Sequence, residues 1–138
     1  MRNSERCSYA TVNPQTGEAS LLPYLPITLS LLDQTIDVSG LLDTGAAVNV
    51  LPYSVGMNIG AVWSANSQAI KLTGNLANFD ARPLVVAAAV GEFSPVKPAF
   101  AWTRAEDIPV ILGQINFFIE SDVCFYRSQQ AFEIRTRI

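Results

Sequence analysis

Histidine is absent from this 138-residue chain. That removes Ser-His and Cys-His nucleophile systems and leaves His-based metal sites without ligands. Cysteine occurs twice, as Cys7 and Cys124, too sparsely for a disulfide framework. The plain expectation is one buried apolar thiol and one near a loose terminus. Positive charge is also scarce: nine Lys and Arg stand against twelve Asp and Glu, net −3, and only Arg135 and Arg137 lie close together. A nucleic-acid surface needs a basic stripe, so no nucleic-acid partner is expected. Long apolar runs are missing. The stretch 84–90 is far too short to span a bilayer, and residues 1–8 lack the apolar core of a signal peptide. No membrane partner is expected, and a cytoplasmic location is. Internal repeats and low-complexity tracts are absent as well.

What is present is strand-like. Leu25, Ile27, Leu29 and Leu31 alternate with Pro26, Thr28, Ser30 and Leu32, the period of a half-buried strand. Asp33-Gln34 reads as a turn, and 36–42 as a returning strand that delivers Asp43 at its end. Val48, Val50 and Leu51 resume strand character. Residues 52–60, with Gly56 and Gly60, leave helical turn and loop both open. In 71–79 the turn residues Gly74, Asn75 and Asn78 between apolar flanks predict a β-hairpin. A buried strand over 84–90, a turn at Gly91-Glu92, and strands at 99–103, 123–126 and 132–138 follow. Residues 114–120 are the one expected helix, with Ile115, Phe118 and Ile119 at helical spacing. Residues 1–18 are polar, carry the turn signal Asn13-Pro14-Gln15-Thr16-Gly17, and read as an arm or flexible segment before a domain over 19–138.

The most informative residues are Asp43-Thr44-Gly45-Ala46, entered through Leu41-Leu42 and left through Val48-Asn49-Val50-Leu51-Pro52. About 70 residues on lies a second block, Pro109-Val110-Ile111-Leu112-Gly113-Gln114-Ile115-Asn116-Phe117-Phe118. In type, order and spacing the two blocks resemble the retropepsin-like aspartic protease family over residues 21–138, in the manner of a cellular or bacterial member. The resemblance implies an all-β, retropepsin-like closed β-barrel of the acid protease fold, with one short helix in its C-terminal half. It also implies an aspartic endopeptidase that needs no cofactor or metal and acts on peptide or unfolded protein. One carboxylate motif in a chain too short for two lobes requires a symmetric homodimer, with Asp43 beside the partner's Asp43.

Position by position, the resemblance makes Asp43 the catalytic carboxylate and Thr44, Gly45 and Ala46 its loop. Leu72, Thr73, Gly74 and Asn75 would belong to a flap over the substrate. Ile108, Pro109, Val110 and Ile111 would line side-chain pockets. Two places depart from many retroviral members: Ala47 and Gln114 stand where those carry an acidic residue and an arginine that pair. A third is the flap, with one glycine where the family often has more. Ala46, where a serine could hydrogen-bond the carboxylate, predicts a mildly rather than strongly acidic optimum. The competing expectation is a non-catalytic dimerisation or peptide-binding module that keeps the fold.

Overall fold

The computed structural model describes residues 4–13 and 17–136. Among them the strands are β1 (Ser4–Ser8), β2 (Ala10–Val12), β3 (Ala19–Leu22), β4 (Tyr24–Leu31), β5 (Gln34–Leu42), β6 (Val50–Leu51), β7 (Ala81–Val85), β8 (Ala87–Ala89), β9 (Ala99–Thr103), β10 (Val110–Leu112), β11 (Ser121–Tyr126) and β12 (Ala131–Thr136). Helix α1 (Tyr53–Asn58) and the wide helical turn α2 (Gln114–Phe118) are the longest helical pieces. The all-β expectation holds.

Alternation in the sequence becomes a hairpin in space. β4 and β5 pair antiparallel from Tyr24 opposite Leu41 to Leu31 opposite Gln34, with Leu25, Ile27 and Leu29 buried on one face. The turn falls at Leu32-Asp33, one residue earlier than the polar residues suggest, and puts Leu32 at φ 55° with 95% of its surface exposed. A left-handed leucine is unfavourable, but slipping the register by one residue would turn the buried face to solvent. The buried face decides.

Seven strands form one sheet in the order β7-β9-β6-β10-β5-β4-β8. β7 and β8 lie at opposite ends of that order, yet only Val86 separates them along the chain. The sheet must therefore curl until its two edges meet. Val86 is 1% exposed at that corner, and its N–H donates to the Pro98 carbonyl. The single strand expected over 84–90 is thus two strands serving opposite edges of a curled sheet.

A second sheet, β1-β12-β11, carries Phe132 (0% exposed) and Ile134 (1%) into the main core with Leu51, Phe100, Trp102 and Leu112. Ser4–Ser8, within the segment read as an arm, runs along β12 with Cys7 opposite Phe132, and Ala10–Val12 pairs with β3. Pro14, Gln15 and Thr16 of the turn signal, and Arg137 and Ile138 of the last strand, lie outside the described residues. The undecided stretch 52–60 holds α1, which reaches the core through Gly56: a Cβ there would sit 2.3 Å from the Trp102 indole.

The expected hairpin at 71–79 is not formed. That stretch holds a 3-10 turn at Gly74–Leu76 and no strand, and its base is tied by Ile70 N–H to the Ala81 carbonyl at 2.9 Å. Leu72 and Leu76 pack with Val50, Ala81 and Ala101 in a smaller core. Apolar side chains four apart pull the segment inward, and that wins over turn residues that suit a projecting hairpin.

Candidate active site

β10 runs parallel to β5, with Leu112 opposite Leu42, and antiparallel to β6, with Ile111 opposite Val50. The loop 43–49 must therefore pass over the end of β10 to reach β6. Three backbone bonds pin it there: Asp43 N–H to the Leu112 carbonyl (3.1 Å), Gln114 N–H to Ala46 (2.9 Å) and Ile115 N–H to Ala47 (2.8 Å). The crossing is close enough to demand glycine at 113. A Cβ there would lie 2.5 Å from the Val48 carbonyl oxygen, although the backbone at φ −120° is ordinary.

Asp43 is half-buried at the start of this loop. Its Oδ1 accepts the Gly45 N–H at 2.9 Å, and its carbonyl accepts the Ala46 N–H at 3.1 Å. Gly45 lies so near the carboxylate that a Cβ would sit 3.3 Å from Oδ1; close approach, not a positive φ, is what the glycine provides. Thr44 is exposed and its hydroxyl has no partner within the described residues. Its carbonyl accepts from the Gln114 side-chain amide at 2.9 Å. Gln114 thus braces the loop without any charge.

Asn49 is the residue that pattern reading passed over. It is 0% exposed; its side-chain oxygen accepts the Gly113 N–H (2.8 Å), its amide donates to the Ala99 carbonyl (3.3 Å), and its backbone N–H donates to Asn116 Oδ1 (2.8 Å). A buried polar side chain is retained where it satisfies backbone groups that no ladder reaches. The visible signal was a single amide inside the apolar run Val48 to Leu51.

The remaining candidates divide. Leu72, Ile108 and Ile111 come together in the smaller core, beside Val48 of the aspartate loop. Val110 does not join them: strand alternation sends it, with Leu112, into the main core at 0% exposure. Its place as a pocket residue is corrected on that ground. Pro109 is half-buried. Thr73, Gly74 and Asn75 are exposed, with Gly74 at φ 63° and open space where a Cβ would point. Among the described residues no cluster of His, Cys, Asp or Glu suits a metal ion. A cavity of about 720 Å³ between α2, the 90–98 loop and β12 contains neither Asp43 nor the 70–76 segment.

No family model matches the chain, and no curated protein does. Solved structures do. A retropepsin-like aspartic protease from Rickettsia conorii is similar with a TM-score of 0.56 over 96% of this chain and 92% of that one, at 13% identity. EIAV protease, complexed with the inhibitor HBY-793, is similar with a TM-score of 0.50 over 67% of this chain and 81% of that one, at 22% identity. At such identities the likeness is one of fold, and the fold is retropepsin-like.

Proposed function

We propose that this chain, whose fold is retropepsin-like, is an aspartic endopeptidase in which two Asp43 carboxylates, one from each subunit of a homodimer, activate a water. The observation that carries the reading is the placement of Asp43. Its carboxylate stands half-buried at the end of a core strand, held by the Gly45 N–H on a loop fastened from beneath at three points.

The chemistry follows from two carboxylates sharing one proton. The ionised carboxylate takes a proton from the water as its oxygen attacks the scissile carbonyl carbon. The protonated one donates to the carbonyl oxygen. Collapse of the resulting gem-diol breaks the C–N bond, with a proton delivered to the leaving amine. No covalent enzyme intermediate forms. One chain supplies one such carboxylate, so the site is incomplete without a second copy.

Each neighbour has a role in this reading. Thr44, exposed and with no partner for its hydroxyl among the described residues, would bond across the two-fold axis. The half-buried Ile108 and Ile111, backed by the buried Leu72, suit apolar or aromatic side chains beside the cleaved bond. An extended peptide would lie against them as an added strand, with Thr73, Gly74 and Asn75 over it. Because β12 is paired on one side with β1 and on the other with β11, its edges are occupied within one chain. A second copy must use other surfaces.

A mixing experiment tests the two-chain requirement. Titrating wild type with excess Asp43→Asn chain draws it into mixed dimers that hold one carboxylate. Peptidase activity should fall in step with the mixed fraction; activity indifferent to the variant chain would count against the shared site.

A further inference from the structure

Both tryptophans of the chain, with Tyr53, form one cluster beside α1. Trp102 is 2% exposed, stacks on Tyr53 at 5.5 Å and 11°, and takes the edge of Trp63 at 5.1 Å and 66°. Its indole N–H donates to the Tyr53 carbonyl at 3.1 Å. Tyr53 and Trp63, at 65° to one another, open a V toward solvent. Arg104 fills that V, its Cζ 4.5 Å from each ring centroid.

A guanidinium held against aromatic faces keeps its N–H groups in its own plane, free for a planar acceptor. Arg82 supplies the contrast. It also approaches Trp63, at 5.7 Å, but its side chain is 12% exposed and pairs with Asp80 at 3.1 Å. Arg104 is exposed, and among the described residues no carboxylate lies within ion-pair distance of it and no acceptor takes its guanidinium protons. Glu106, two positions on, accepts the Ser54 N–H instead. A fixed, unpaired cation on a chain of net charge −3 is a binding group for an anion.

Its position says which anion. The Arg104 N–H donates to the Asp80 carbonyl at 2.8 Å, and the Ala105 carbonyl accepts the Tyr53 N–H at 3.3 Å. Arg104 therefore stands where the end of the 70–80 segment meets the start of the 104–111 segment. These two segments carry Leu72, Ile108 and Ile111. We propose that Arg104, cradled by Tyr53 and Trp63, is a specificity-determining residue that binds the carboxylate of an acidic side chain in a peptide, at a position remote from the scissile bond. That such a peptide is also a substrate rests on the peptidase reading; its binding to Arg104 does not.

The test separates the two. Unstructured peptides of one sequence, with a single Glu walked through successive positions and a Gln counterpart for each, are titrated into the Asp43→Asn protein, which cannot hydrolyse them. Tryptophan fluorescence reads the cluster directly, since it holds both indoles. Binding at one Glu position should exceed its Gln counterpart by about five- to tenfold, weaken with added salt, and change the emission. In Asp43→Asn/Arg104→Gln the preference should vanish, and in Asp43→Asn/Arg104→Glu it should reverse; thermal melts of each show that the fold persists. A preference that survives Arg104→Gln, or no Glu preference at any position, overturns the proposal. Arg104-dependent binding without cleavage by the wild type would overturn the peptidase reading alone.

Discussion

The Gly113 N–H donates to the side-chain oxygen of Asn49 at 2.8 Å, and this bond fastens the end of β10 to the exit of the aspartate loop. Both residues are buried, so neither group can turn to water when the other is lost. Asn49→Ala should lower stability by about 3 kcal/mol, because it leaves the buried Gly113 N–H and the part-buried Ala99 carbonyl without their partner. Urea denaturation of the two proteins measures this. A loss under about 0.5 kcal/mol, within the scatter of ordinary surface changes, would show that the bond does little.

Gly113→Ala probes the same crossing by volume. The added methyl meets the Val48 carbonyl oxygen at 2.5 Å and the Ala46 carbonyl oxygen at 2.9 Å, both backbone atoms that cannot swing aside. We expect a loss of about 2 kcal/mol, with the Asp43 loop displaced. Backbone amide shifts in NMR spectra should concentrate in residues 43–49; shifts elsewhere and none there would contradict this account.

Much of this arrangement was legible in the sequence, for identifiable reasons. The β4 and β5 hairpin and the delivery of Asp43 to its end follow from period-two burial, which is local. The 71–79 stretch misled because turn residues report where a chain can bend and not which face its leucines must cover. Leu72 and Leu76 reach a core assembled from Val50, Ala81 and Ala101, distant along the chain. Asn49 was illegible for the same reason, its partners lying at Gly113, Ala99 and Asn116. Nor does sequence disclose that β12 pairs on both sides within one chain.

That pairing bears on truncation. A chain ending after Ala131 loses Phe132 and Ile134, both at or below 1% exposure, together with the strand between β1 and β11. It should unfold and not merely dissociate. The point change Phe132→Ala, removing a fully buried ring, should cost about 4 kcal/mol. Circular dichroism of the truncated chain decides: a native β spectrum would contradict the structural role given to β12.

The two thiols should differ in reactivity. Cys124 is exposed on β11, whereas Cys7 is partly covered, and burial, with the Glu5 carboxylate adding to it, raises its thiol above the ordinary range. Because the thiolate is the reactive form, raising the pH should be needed before Cys7 alkylates at the rate of Cys124. Mass-spectrometric mapping of iodoacetamide adducts against time and pH checks the order; faster labelling of Cys7 at neutral pH would refute it.

Asp43 carries the proposed chemistry. The most direct measurement incubates wild type and Asp43→Asn, at concentrations where each is shown to be dimeric and at several pH values, with a mixture of unstructured peptides, and reads the products by mass spectrometry. Internal cuts made by the wild type, strongest at mildly acidic pH and absent with Asp43→Asn, are the predicted result. A dimeric wild type that makes no Asp43-dependent cut at any pH would contradict it and leave a peptide-binding module on a protease fold.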